Sequence, residues 1–162
     1  DTTLRENVRM GRPGASDADV DAAVAELGLA DWVARLADGL ETEVGERGTN
    51  LSVGERQLVA LVRAQLADPG LLILDEATSA VDPETEQALA SALAHLAEGR
   101  TTIAVAHRLS TAQQADLVLV FDAGRIVEQG SHADLVAAGG RYAELYESWL
   151  GNTGTDPGSD EG

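Results

Sequence analysis

An α/β domain with a mostly parallel sheet is the expectation for this chain of 162 residues. Two observations carry it. Aliphatic runs of strand length, "LLILD" at 71–75 and "TTIAV" at 101–105, alternate with longer stretches of helical period, and alternation of this kind builds parallel neighbours through crossover helices. The chain is also 44% hydrophobic and long enough to bury a core of single-domain size, so it is one domain or a large piece of one.

Each element has a local reason. Residues 17–38 place Val20, Val24 and Leu27, then Trp32, Val33 and Leu36, at helical spacing opposite an acidic face, which predicts two short helices broken near Gly28. The stretch "GLETEVGERGTN" that follows reads as a Gly-rich charged loop. From Ser52 the helical period resumes through "VGERQLVALVRAQLA", and Asp68-Pro69-Gly70 stops it. "LLILDE" reads as a buried strand, "PETEQALASALAHLAEG" as a helix and "TTIAVAH" as a second strand. A short helix near "STAQQA" precedes "DLVLVFDAGRIVEQG", two strands joined as a hairpin at Asp122-Ala123-Gly124. Helices near 132–137 and 141–150 follow, and the tail after Leu150 has the composition of a disordered segment.

Composition narrows the function. The formal charge is −17, and the last twelve residues hold only three of the acids, so the acidity is general. A surface this negative repels phosphate backbones, which disfavours nucleic acid as a partner. With no cysteine, disulfides, thiolate zinc sites and cysteine nucleophiles are excluded. No apolar run approaches the length of about 18 residues that spans a bilayer, and no signal-peptide core opens the chain, so these residues are expected to be soluble. All eleven basic residues are Arg, so a P-loop, which needs a lysine for the outer phosphates, cannot lie within them.

The chemistry-bearing residues fall at loop ends. In an open parallel sheet, ligands sit beyond the carboxyl ends of the strands, where Asp75 and Glu76 follow the first strand and His107 follows the second. One such carboxylate can hold Mg²⁺ while its neighbour polarises a water for phosphoryl transfer; the bland alternative is an acidic turn. Ser52, with Glu55 three residues on, is a capping-box pattern, and the same helix N-terminus, with small Gly54, is suited to an anion. Asp82 before Pro83 is equally a sound N-cap and N1 pair. His95 and His132 lack comparable context and are assigned no chemistry.

"LSVGERQ", "LLILDE", "SAVD" and "AHRLS", in that order, resemble the signature motif, Walker B strand, D-loop and switch histidine of the ATP-binding cassette ATPases of ABC transporters. The resemblance covers nearly all of residues 1–150. It implies a RecA-like P-loop NTPase core, present in part, carrying the family's α-helical subdomain: residues 1–66 as that subdomain with the signature helix, 67–150 as the C-terminal half of the core, and 151–162 as a disordered acidic tail. It also implies ATP and Mg²⁺ as ligands. Asp75 would help to hold the metal, Glu76 would act as catalytic base, and His107 would contact the γ-phosphate. Ser52, Val53, Gly54 and Glu55 would close over ATP held by a second nucleotide-binding domain in a head-to-tail dimer, with Asp82 in the loop that crosses the interface. The family's usual signature is LSGGQ; Val53 adds bulk and Glu55 adds negative charge beside a triphosphate.

"TEVGERG" at 42–48 resembles the loop that precedes the signature in exporter-type cassettes, where it touches the cytoplasmic ends of transmembrane helices. "DTTLRENVRMGRP" resembles the exporter stretch after the Q-loop. The resemblance therefore implies an exporter at the cytoplasmic face of a membrane, partnered by a transmembrane domain. The adenine-stacking aromatic, the P-loop and the Q-loop glutamine are expected before Asp1, so residues 1–162 alone are expected to be inactive as an ATPase. Two other readings stay open: a soluble cassette ATPase, and a non-catalytic cassette remnant that pairs with an intact one.

Overall fold

The structure is a computed structural model and describes residues 2–75, 82–106 and 109–153. It divides into two compact units, Asp1–Ile103 and Ala104–Gly162.

In the first unit, helix α1 (Leu4–Arg9) starts where Thr3 Oγ1 accepts the Glu6 N–H, and it buries Leu4 and Val8 one turn apart. The sequence pattern predicts no element there. Helix α2 (Asp17–Glu26) opens with a capping box between Ser16 and Asp19 and ends before Gly28, whose φ of 69° suits glycine. Helix α3 (Ala30–Arg35) follows at once, as the break at Gly28 predicts. Two single turns of 3₁₀ helix, Gly39–Glu41 and Glu46–Gly48, punctuate the loop. Helix α4 (Val53–Ala67) stops at Asp68, which takes the left-handed conformation that lets Pro69 turn the chain away. After strand β1 (Leu71–Asp75), helix α5 (Pro83–Ala97) is capped by Asp82 with Pro83 at its first position. Its buried Ala92 and Leu96 pack against the core that α4 supplies with Leu58, Val59, Val62 and Leu66. Strand β2 (Thr101–Val105) pairs with β1 in a two-stranded sheet.

The strands correct one expectation. "LLILD" predicts a buried strand, yet of β1 only Leu72 is buried, and Ile73 is 72% exposed. A strand is dry on both faces only when a layer covers each. The described helices bury one stripe of β1 and leave the alternate residues open.

In the second unit, helix α6 (Leu109–Gln114) precedes β3 (Val118–Asp122) and β4 (Arg125–Gly130), an antiparallel hairpin. Its turn uses Ala123 and Gly124, both at positive φ, the geometry whose twist matches paired strands. Among the described residues the strands form two pairs, β1 with β2 as a small parallel sheet, consistent with a partial RecA-like core, and the β3–β4 hairpin. Helix α7 (His132–Ala138) is capped by Ser131, and helix α8 (Arg141–Thr153) runs three residues into the stretch expected to be a disordered tail. Glu128 of β4 accepts the backbone N–H groups of Arg141 (2.6 Å) and Tyr142 (2.9 Å), satisfying donors that open α8. Val120, Leu135 and Tyr142 form a small core with Ala112. Among the described residues, no helix is long and apolar enough to cross a membrane.

Candidate phosphate-facing helix terminus

The first turn of α4 gathers four of the expected site residues. Ser52 is its N-cap: Ser52 Oγ accepts the Glu55 N–H at 3.2 Å, and the Ser52 N–H donates to Glu55 Oε2 at 2.7 Å. Both halves of the capping box are therefore formed. Val53 is partly exposed and Gly54 is buried, so the turn presents a branched apolar side chain outward and packs its smallest residue inward. The N–H groups of Val53 and Gly54 fall among the four that an α-helix leaves without intrahelical partners at its start, and the helix dipole adds positive potential there. In this conformation the Glu55 carboxylate lies at the same terminus that an incoming anion would use.

The loop before the signature helix is tightly wound. Val44 and Leu51 are buried at its ends, and Gly45, Arg47 and Gly48 all take positive φ. Asn50 Nδ2 donates to Glu43 O at 3.1 Å. Arg56, from the second turn of α4, donates to Leu51 O at 2.6 Å and to Gly48 O at 3.3 Å. A cleft of about 440 Å³ opens beside the loop, lined by Thr2, Asn7, Gly45, Arg47, Arg56 and Arg63 among others. Arg63 Nε also donates to Asn7 O at 2.7 Å, joining α4 to α1. The sequence reading passed over Arg56 and Arg63. The available signal was positional, since a glycine-rich loop leaves carbonyls without ladder partners and a basic residue one turn into the next helix is within reach of them.

The remaining expected residues flank a gap in the description. Asp75 is the last residue of β1 and is exposed. Asp82 caps α5 by accepting the Thr85 N–H at 2.9 Å. That backbone bond holds the Asp82 carboxyl below its ordinary value. Glu76 and His107 lie outside the described residues, as does the "SAV" that precedes Asp82. Of the other histidines, His132 Nδ1 is hydrogen-bonded to Tyr142 Oη at 2.8 Å and its ring meets Tyr142 and Tyr146 edge-on. His95 approaches Gly28. Among the described residues, no group of three or more acidic or histidine side chains is placed to hold a metal. A single carboxylate at a strand end still fits Mg²⁺, which takes one or two protein carboxylates and fills its other positions with water and phosphate oxygens.

An acid at the end of β1, the Asp82 cap of α5 and the Ser52-capped start of α4 are compatible with a nucleotide-handling α/β cassette. Residues 1–79 match the family model described as ABC transporter. An ATM1-type heavy metal exporter of Novosphingobium aromaticivorans is 51% identical over 144 residues, covering 89% of this chain and 24% of that protein. An ATP-dependent lipid A-core flippase of Pseudomonas putida is 50% identical over 149 residues, covering 91% of this chain and 25% of that protein. A solved structure of a bacterial Atm1-family ABC exporter with ATP bound is 45% identical, with a TM-score of 0.78 over 99% of this chain and 27% of that one. The chain belongs to the ABC transporter family and corresponds to part of its nucleotide-binding domain. It spans about a quarter of the length of the curated relatives it matches.

Proposed function

We propose that this chain is part of the ATP-hydrolysing nucleotide-binding domain of an ABC exporter, which couples ATP turnover to substrate movement across a membrane. The observation that carries the reading is the likeness along nearly the whole chain to an ATP-bound exporter of the Atm1 family. The start of α4, where the N–H groups of Val53 and Gly54 have no intrahelical partner, supports it from the chemistry of the site.

Each residue then has a role. The terminal phosphate of ATP held by a second cassette docks at the first turn of α4, where Ser52 Oγ and the N–H groups of Val53 and Gly54 donate to it and the Glu55 side chain yields its place. Asp75 would help to hold Mg²⁺, which when bound would draw charge from the phosphate oxygens. Glu76 accepts a proton from water as the water oxygen bonds to the γ-phosphorus. The bond to the β–γ bridging oxygen breaks, leaving ADP and inorganic phosphate. His107 donates to the γ-phosphate and holds the water in line. Asp82, fixed by its cap at the start of α5, gives a rigid end to the loop that crosses to the second cassette. The 42–48 loop meets a transmembrane domain at the cytoplasmic face. The lysine of the P-loop must come from outside these residues, because the sequence has none.

Magnesium-dependent ATP hydrolysis by the full-length protein, with none from residues 1–162 alone, is the expected result; turnover by residues 1–162 alone would overturn the assignment of roles. A second reading, a cassette that supplies only its signature face to an active partner, is favoured by the Glu55 carboxylate seated at the helix terminus. It predicts a nucleotide-dependent dimer without hydrolysis by this chain's own site.

A further inference from the structure

Besides the chain itself, the Arg56 side chain joins loop 44–51 to the start of α4. The loop's own bonds are local: Gly48 N–H to Gly45 O and Leu51 N–H to Gly48 O at 3.1 Å, and Asn50 N–H to Val44 O at 3.2 Å. Arg56 adds a bond from outside, because its Nη1 donates to both Leu51 O and Gly48 O. Gly48 O thus accepts from Leu51 and from Arg56 together. The approach is close enough that a Cβ at Gly48 would lie 2.9 Å from Arg56 Cδ. At its other end Arg56 is part of the helix start, its N–H donating to Ser52 O at 3.1 Å. The residue that grips the loop is therefore hydrogen-bonded to the N-cap on which the candidate phosphate site rests.

We infer that Arg56 is a positioning residue that makes loop 44–51 and the first turn of α4 move as one body. A guanidinium bonded to two carbonyls resists rotation about either, so a shift of the loop is passed to Ser52 and a shift of Ser52 is passed back. Linkage makes the effect reciprocal: an anion that orders the helix start also orders the loop, and a partner that clamps the loop also changes anion affinity. Val44 and Leu51 anchor the loop to the core, whereas Arg56 anchors it to the site. In its nucleotide arm this inference rests on the function proposed above.

The test is amide hydrogen exchange on the full-length protein, with and without a non-hydrolysable ATP analogue and Mg²⁺. In the wild type the analogue slows exchange at residues 53–56 and, through Arg56, at residues 48–51. In Arg56→Met the slowing persists at 53–56 and is lost at 48–51, while residues 57–66 exchange as in the wild type. Without nucleotide, the Leu51 amide in this variant exchanges about tenfold faster, as expected for loss of a charged donor to the same carbonyl group. Should Arg56→Met fail to fold, Arg56→Gln carries the same expectation. Retained slowing at 48–51 in either variant would overturn the coupling. If the analogue leaves residues 53–56 of the wild type unaffected, the nucleotide reading fails instead; the nucleotide-free Leu51 rate then decides, and an unchanged rate overturns the tether.

Discussion

Replacing Glu55 with Gln separates capping from charge at the helix terminus. The Glu55 carboxylate accepts the Ser52 N–H at 2.7 Å, and a Gln carbonyl can accept the same bond, so the capping box survives. The free protein loses only the attraction between a carboxylate and the helix start, about 0.3–1 kcal/mol. With nucleotide the balance reverses. A phosphate oxygen bonded to Ser52 Oγ and the first-turn N–H groups would lie about 5 Å from that carboxylate, and like charges at that distance repel by about 1 kcal/mol in water-like surroundings and about 3 kcal/mol at an effective dielectric near 20. Removing one negative charge should therefore favour the nucleotide-bound form by about 1–2 kcal/mol, a change of about 5–30-fold in half-saturating ATP. The assay is ATP-dependent dimerisation of the full-length protein at low ionic strength, repeated at high salt, where screening should shrink the difference. A Glu55→Gln protein with unchanged melting temperature and unchanged or weaker ATP response would refute the view that Glu55 opposes phosphate at this terminus.

Three further outcomes are expected. Leu58→Ala, which empties a site 1% exposed at the centre of the first unit, should lower stability by about 2–5 kcal/mol in denaturant titration, whereas Val53→Ala on the open first turn should stay within about 0.5 kcal/mol. Glu128→Ala removes the acceptor for the Arg141 and Tyr142 N–H groups and should lower the second unit's stability by about 1–2 kcal/mol, with faster hydrogen exchange confined to the start of α8. The Asp82 carboxyl is held below its ordinary value by the Thr85 N–H, so its stabilising effect is present above the usual carboxylate range near about 4 and is lost as pH falls through the lower folded value. The Thr85 amide resonance should report that loss on acid titration, and Asp82→Asn should abolish the pH response.

What could be read from the sequence was mostly local. Ser52 with Glu55, Asp82 with Pro83, the Gly28 break and the Asp122-Ala123-Gly124 turn each place their chemistry within four residues, and the structure realises every one. Features that depend on distant neighbours were less legible. Four aliphatics in a row predict a buried β1, but burial needs layers on both faces, and Ile73 remains open. Helix α1 was missed because two buried residues, Leu4 and Val8, are too few to establish a period; its bonds to Arg63 come from 56 residues away. The Arg56 grip on the preceding loop shows no periodicity at all, since it depends on the positive-φ turn at Arg47 and Gly48 presenting carbonyls toward α4. The roles given to Glu76 and His107 come from their places at strand ends and from the family resemblance, and both residues lie outside the described structure.

The most direct test of the central claim is ATP turnover by the full-length protein carrying Glu76→Gln. Loss of hydrolysis together with accumulation of an ATP-bound closed dimer is the predicted result, because an amide cannot take the proton from water while the phosphate contacts at Ser52 and Gly54 remain. Turnover equal to that of the wild type would contradict the account and remove Glu76 from the reaction.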